Sequence, residues 1–546
     1  MRNIFRKYLS HINGSGLVIG AIFFSVSLTP SLIPRDYLYQ GLLGGFAFSI
    51  GYGFAVLCLA IWRFLELPEP SRKTSGRIRL TGALIAVATL VICLAQAAHW
   101  QNLVRNRVGM PDVDTAHPLE VGLIGIVVAT LIIVTVLLLR AWMAFMAQRL
   151  YRIVPRRISL GIGVVMGFVI VAMAANGILF RGIMTGLDEA ARLRDLATSP
   201  DIVQPEDPMA TGSAASLIDW NTMGNTGRDF VASGPSREEI ASFTGQPAKQ
   251  PVRVYAGLNS AKSDDERAEL ALQELIRVGG FDRSVLVVVT PTGTGWMDPA
   301  AMDTLDYLHH GDVATVAIQY SYLSSVLSLL VQPEGSVEAG QALFRKIYGH
   351  WAKLPEDDRP RIYLFGISLG SYGSALSFRV YDILQNPIDG ALWAGPPFLS
   401  PAWRDITAER NPGSPAWRPI FGDSSLVRFT NQENALDIPG ATWGNVRIVY
   451  LQHASDPIVF FEPSSFHRRP EWMNDPRGPD VAPEFQWYPA VTFLQLLTDM
   501  ANALVTPPGY GHLYAHEDYI HAWNAVTEPP GWDEDQRQRL VDHFEE

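Results

Sequence analysis

Three short stretches bring together residue types that could perform nucleophilic chemistry. Gly366-Ile367-Ser368-Leu369-Gly370 follows the apolar run Ile362–Phe365 and runs straight into a helix-prone stretch. A serine between two such glycines, at a strand-to-helix turn, can take a strained backbone conformation. Its hydroxyl is then presented at a helix N-terminus, where developing negative charge is favoured. A serine hydroxyl is a poor nucleophile at neutral pH, so a histidine must take its proton and a carboxylate must hold that histidine in the right tautomer. On this kind of scaffold the chain order is serine, then acid, then histidine.

The acid is expected just past a later strand. Asp456 meets this condition, following Val446–Leu451 in Gln452-His453-Ala454-Ser455-Asp456-Pro457, with Glu462 and Asp480 as lesser candidates. An ordinary Asp-Pro turn is the plainer reading of the same pair. The histidine must come later still, and Gly509-Tyr510-Gly511-His512-Leu513-Tyr514 offers His512 on a glycine-freed loop, with His516 and His521 as nearby alternatives. His453 lies too close to Asp456 in sequence to be its obvious partner. Acyl transfer also needs amide donors aimed at the oxyanion. One is expected from Leu369, the residue after the serine. The other is expected from Pro291-Thr292-Gly293-Thr294-Gly295-Trp296, at Thr294 with Gly293 beside it. This turn lacks the lysine of a phosphate-binding loop and the spacing of a dinucleotide fingerprint, so no cofactor is expected from it.

These residues need a scaffold, and the second half of the chain reads as one. The short β-branched runs Val252–Tyr255 and Ser284–Thr290 and the further strand-like runs Ala314–Tyr320, Ile362–Phe365, Ala391–Ala394 and Val446–Leu451 alternate with helical patterns at Asp264–Val278, Ser336–Trp351 and Leu369–Leu384. Such alternation predicts a mostly parallel sheet covered by helices on both faces, with reactive groups beyond the carboxyl ends of the strands. A long apolar helix is expected over Phe485–Val505 and a terminal one near Tyr519–Val526. Two irregular stretches rich in Pro, Trp and Arg, Pro396–Gly444 and Phe461–Glu484, interrupt the rhythm and are expected to be lid-like insertions.

The first half is different in kind. The 546 residues are 48% hydrophobic and only 18% charged. Up to Phe180 there are 16 Lys and Arg against 6 Asp and Glu, whereas the formal net charge of the whole is −11. An acidic second half without a basic cluster would repel a phosphate backbone, which argues against nucleic acid as a partner. Cys58 and Cys93 both fall in apolar runs, leaving neither a disulfide framework nor a cysteine metal site in the acidic half.

Five runs are apolar enough to suggest transmembrane helices: Leu17–Leu32, Leu42–Trp62, Leu80–Ala98, Val121–Leu139 and Leu160–Phe180. The first could be a signal peptide, because Arg2, Arg6 and Lys7 precede it. No small-residue cleavage pattern lies near Pro30–Pro34, and four further runs follow, so an uncleaved helix is expected. With the N-terminus inside, thirteen Lys and Arg fall on inner segments and three on outer loops. An odd number of spans then leaves the acidic half outside the cytoplasmic membrane. No run carries an interior charge, which argues against transport and for an anchor. The expected organisation is a helical membrane domain over 1–181, a connector over 182–250 and a catalytic domain over 251–546.

Taken in order, the N-terminal helices, PVRVYAGL at Pro251–Leu258, TPTGTGW at Thr290–Trp296, GISLGS at Gly366–Ser371, LQHASDP at Leu451–Pro457 and GYGHLY at Gly509–Tyr514 resemble a bacterial family of membrane-anchored α/β-hydrolases. The resemblance spans nearly the whole chain and implies an α/β-hydrolase fold with Ser368 as nucleophile and Asp456 and His512 as acid and base. Tyr510 departs from the pattern, since similar motifs can carry a second histidine there. The expected activity is a serine esterase or lipase acting on an apolar acyl or lipid-like ester or thioester. An acyltransferase of the same mechanism, or a non-catalytic envelope protein on the same fold, is the alternative.

Overall fold

A computed structural model of the chain describes residues 13–150, 189–192, 194–195 and 201–545. Its residues fall into two compact units that are not consecutive in sequence. One joins the N-terminal helices to 461–473 and 481–505; the other holds 187–460, 474–480 and 506–546.

The second unit is built on one parallel sheet. Its sheet has seven strands: β1 (Val252–Ala256), β2 (Val285–Thr290), β3 (Val313–Ile318), β4 (Arg361–Ile367), β5 (Gly390–Ala394), β6 (Val427–Thr430) and β7 (Arg447–Leu451). They lie in the order β1-β3-β2-β4-β5-β7-β6, and every neighbouring pair is parallel. The strands are almost wholly buried, as a sheet covered on both faces requires. Strand β4, which leads into Ser368, occupies the middle of the sheet, with Thr290 of β2 in register beside Gly366.

Three expectations about this unit are corrected. Pro396–Gly444 is not wholly an irregular lid, since it contains a helix, Pro401–Ala408, and the edge strand β6. β6 is only four residues long and carries Arg428, so it lacks the apolar run that marks the other strands. The buried Arg428 guanidinium instead bonds the Ser424 and Leu436 carbonyls and lies 3.9 Å over the Trp443 ring. The connector also contributes core: helices Gly224–Ala232 and Arg237–Thr244 bury Phe230 and Ile240, and Gly227 lies against the Tyr255 ring of β1. The helix expected over Leu369–Leu384 is two short ones, Leu369–Ala375 and Val380–Ile383.

In the other unit the count of spans is corrected. Among the described residues three helices are long and apolar enough to cross a membrane: Tyr37–Phe64, Lys73–Arg107 and Pro118–Phe145. The first expected span forms a helix of 14 residues, Gly14–Ser27. At ~1.5 Å per residue it reaches only about 21 Å, short of a hydrocarbon layer of about 30 Å. The fifth, Leu160–Phe180, lies outside the described residues.

The long helix expected over Phe485–Val505 is confined to Val491–Ala501 and belongs to this unit. Its buried Asp499 accepts hydrogen bonds from Ser31 Oγ and Leu32 N, both at 3.1 Å, and stands 4.0 Å from the buried Arg35 guanidinium. Gln495 donates to the Thr29 carbonyl at 3.1 Å. These polar contacts seat the helix on the turn between Gly14–Ser27 and Tyr37–Phe64. A segment from the far end of the sequence thereby completes the helical unit.

Candidate active site

Strand β4 ends at Ile367, and the chain turns at Ser368 with φ 57° and ψ −130° before the helix Leu369–Ala375 begins. A positive φ is uncommon for a side-chain-bearing residue and is kept only where the surroundings over-determine it. Here the Ser368 amide donates to the Ala394 carbonyl at the end of β5, and the Ser368 carbonyl accepts from Ser371 N and Oγ. The flanking glycines are required by close approach. A Cβ at Gly366 would stand 2.4 Å from the Gly370 carbonyl, and one at Gly370 would stand 2.2 Å from the Thr290 carbonyl oxygen.

Asp456 lies beyond the end of β7 and is fully buried. Its Oδ1 accepts from Ile458 N at 2.8 Å, which caps the short helix Pro457–Phe460. Its Oδ2 lies 2.6 Å from His512 Nδ1 and accepts the Tyr514 hydroxyl at 2.7 Å. A carboxylate only accepts, so His512 carries its proton on Nδ1 and leaves Nε2 as the free lone pair. Among the described residues Nε2 has no hydrogen-bond partner, although it is buried. The Ser368 hydroxyl is not bonded to it. The two residues instead flank the end of β5, where Ser368 bonds Ala394 and a Cβ on Gly395 would meet the His512 ring at 2.6 Å. A long nucleophile-to-base contact is common in an unliganded site and closes when substrate binds.

The loop that carries His512 is held from several sides. Gly511, at φ 56°, donates its amide to Ser455 Oγ, which in turn donates to Asp480. The Gly511 carbonyl lies 3.0 Å from Nδ1 of the buried His453, whose Nε2 lies 3.2 Å from Asp518. Burial works against charge on His453, but Asp518 outweighs it and leaves its pKa raised, so the ring can donate to both partners. The Tyr514 ring stacks on His453 at 4.5 Å. Burial, followed by the Asp456 charge, holds the Tyr514 phenol well above its ordinary range, so it serves as a donor.

The remaining candidates are placed elsewhere. Asp480 is committed to Ser455, and Glu462 accepts from Ser464. His516 stacks on Phe544, and His521 neighbours Glu517 and Asn434. In the loop after β2 the Gly293 amide is already bonded to Ser325 Oγ at 3.0 Å, and Gly295 N bonds the Thr292 carbonyl. Among the described residues the Thr294 and Leu369 amides have no acceptor. Tyr514, His453, Ser455 and Asp518 were not singled out as site residues from the sequence, although Tyr514 stands only two positions after the histidine. Asp298 was missed too. It is buried just past the glycine-rich loop, accepts the Tyr519 hydroxyl at 2.8 Å, and burial pushes its carboxyl up to about 7. Among the described residues no cluster of three or more His, Cys, Asp or Glu could hold a metal.

An alpha/beta-hydrolase family matches residues 252–540, and the N-terminal region of the same family matches 28–235. The chain belongs to this alpha/beta-hydrolase family. No curated protein and no solved structure matches it. The family match covers both the sheet and part of the helical region, so this α/β-hydrolase carries its N-terminal helices as a family feature.

Proposed function

We propose that this α/β-hydrolase is a membrane-anchored serine hydrolase that cleaves an ester or thioester of an apolar acyl group through an acyl-enzyme on Ser368. The observation that carries the reading is His512, fixed through Nδ1 by Asp456 with Nε2 left bare, on the same sheet end as a serine in a strained turn. His512 takes the Ser368 proton as Oγ attacks the acyl carbonyl. The Leu369 and Thr294 amides receive the oxyanion, each contributing about 2.7–4 kcal/mol. Collapse of the tetrahedral species expels the alcohol or thiol, which receives the proton from His512. Water, activated by the same imidazole, then releases the acid. Helices long enough to cross a bilayer and the Trp-bearing segment 396–444 favour a lipid-like substrate over a small polar ester.

A second reading has one observation in its favour. Ser368 and His512 are only 4% and 7% exposed, and a site that keeps water out can pass its acyl group to a hydroxyl of an envelope lipid or glycan instead. The test is labelling of the full-length protein in detergent with a fluorophosphonate, followed by p-nitrophenyl esters of increasing chain length with and without an added alcohol. Labelling with release of free acid supports the hydrolase. Labelling with acyl transfer to the alcohol supports the second reading, and no labelling of folded protein leaves only a non-catalytic role.

A further inference from the structure

The helix Val491–Ala501 buries one face, which mixes Val491, Leu496 and Met500 with Thr492, Gln495 and Asp499, and exposes another. The inward face is set by Gln495 and Asp499 in their contacts with the turn at Thr29–Leu32. The outward face presents Leu497, 37% exposed, and the chain continues past the helix with Leu504 and Val505 at 67% and 39%. Phe466 joins this surface at 48% exposure. Its carbonyl accepts from Ala490 N, and its ring packs against that of Phe493 on the same helix. A helix on a water-facing surface would carry polar residues on its outer side. Here the exposed side chains are apolar, and the exposed Arg468 and Arg469 follow two and three positions after Phe466.

We propose that this patch is a bilayer contact, with Phe466, Leu497, Leu504 and Val505 in the acyl-chain boundary and Arg468 and Arg469 on lipid phosphates. The inference rests on the reading that the long helices of this unit cross a bilayer. Two further observations choose lipid as the occupant. The helix packs on the turn that joins two N-terminal apolar helices, so its outer face continues the apolar exterior of the same unit. An apolar stripe with adjoining arginines is also the composition of in-plane interfacial helices, which combine buried apolar area with attraction to anionic headgroups.

The test uses the full chain with Cys58 and Cys93 replaced by alanine, carrying Leu497→Cys or Leu504→Cys labelled with an environment-sensitive fluorophore. The protein is held one copy per nanodisc in a mixture of zwitterionic and anionic phospholipid. Ile126→Cys on the span Pro118–Phe145 and Lys353→Cys on the hydrolase unit serve as lipid and water controls. The labels at 497 and 504 should emit at shorter wavelength than that at 353 and be quenched by doxyl-bearing lipid. In R468Q/R469Q that quenching should fall. Emission at 497 and 504 like that at 353, with the label at 126 still quenched, would overturn the contact. Loss of quenching at 126 as well would mean that the spanning reading had failed first. Shielding that arises only in discs holding two copies would assign the patch to self-association instead, and quenching unchanged in R468Q/R469Q would remove the arginines from the contact.

Discussion

Asp456 Oδ2 accepts two donors at once, the imidazole of His512 and the phenol of Tyr514, so negative charge that could serve the base is shared with a spectator. Removing the phenol hydroxyl should leave the oxygen more negative and bind the His512 imidazolium more tightly. Tyr514→Phe should therefore move the acidic limb of the pH profile of kcat/KM to higher pH while the enzyme stays active. An unmoved limb would reduce Tyr514 to packing. The triad itself should be strongly non-additive. Ser368→Ala should abolish probe labelling and lower kcat by on the order of 10⁴–10⁶, His512→Ala by a comparable factor, and the double variant by no more, with Asp456→Asn milder than either. If His512→Ala stays near wild type and His516→Ala does not, the base has been assigned one loop segment too early. Asp298 carries a pH dependence of another kind. Its carboxyl is raised to about 7 in the folded protein against ~3.9 when unfolded, so the protein binds this proton more tightly when folded. The stabilisation is complete below pH ~4 and is lost as pH rises towards about 7, with a ceiling of ~4 kcal/mol. The Tm advantage of Asp298→Asn over wild type should thus grow across this window and level off above it.

At the scale of elements, the serine is positioned by a crossing so tight that its glycines are fixed by contact. Gly370→Ala would put a Cβ 2.2 Å from the Thr290 carbonyl oxygen of β2, which is backbone and cannot step aside. The Leu369–Ala375 helix must shift and carry the Leu369 amide with it. We expect a stability loss of ~1–3 kcal/mol and, in protein that still folds, a fall in kcat larger than any change in KM; a normal kcat would mean that the amide is not an oxyanion donor. This turn was legible in the sequence because strand, glycine spacing and helix all pointed the same way. So were six strands of the sheet, whose mostly apolar runs are buried on both faces. β6 was not, because an edge strand of four residues holding a buried arginine has no apolar signature, and that arginine is held by the Trp443 ring and the Ser424 and Leu436 carbonyls. Tyr514 and His453 escaped for a similar reason, since their roles arise from contacts with Asp456 and Asp518 that spacing does not encode.

At the scale of the whole molecule, the apolar helices and the hydrolase sheet are separate compact units, yet the chain passes between them more than once. Residues 461–473 and 481–505 leave the hydrolase portion of the sequence to pack with the N-terminal helices, and 506–546 return to supply His512. Sequence could not disclose this exchange, because Val491–Ala501 reads equally well as a core helix; its partners are Thr29, Ser31 and Leu32, more than 450 positions away. The arrangement makes the last segment of the chain a test of topology. The turn between the spans Tyr37–Phe64 and Lys73–Arg107 is flanked by Arg63, Arg72, Lys73, Arg77 and Arg79 and the next turn only by Arg105 and Arg107, a bias that resists translocation and, with the run Leu160–Phe180 as a further crossing, leaves the hydrolase unit outside. The three long helices carry no charge inside their apolar stretches, so nothing within them opposes this orientation. A fluorescent protein that matures only in the cytoplasm, fused after Glu546, should stay dark, while an alkaline phosphatase at the same junction should be active. Placed instead at Glu69, between the spans Tyr37–Phe64 and Lys73–Arg107, the two reporters should exchange behaviour. A bright cytoplasmic reporter at Glu546 together with the expected result at Glu69 would mean an even number of crossings, placing the hydrolase unit and any lipid it cleaves on the inner side.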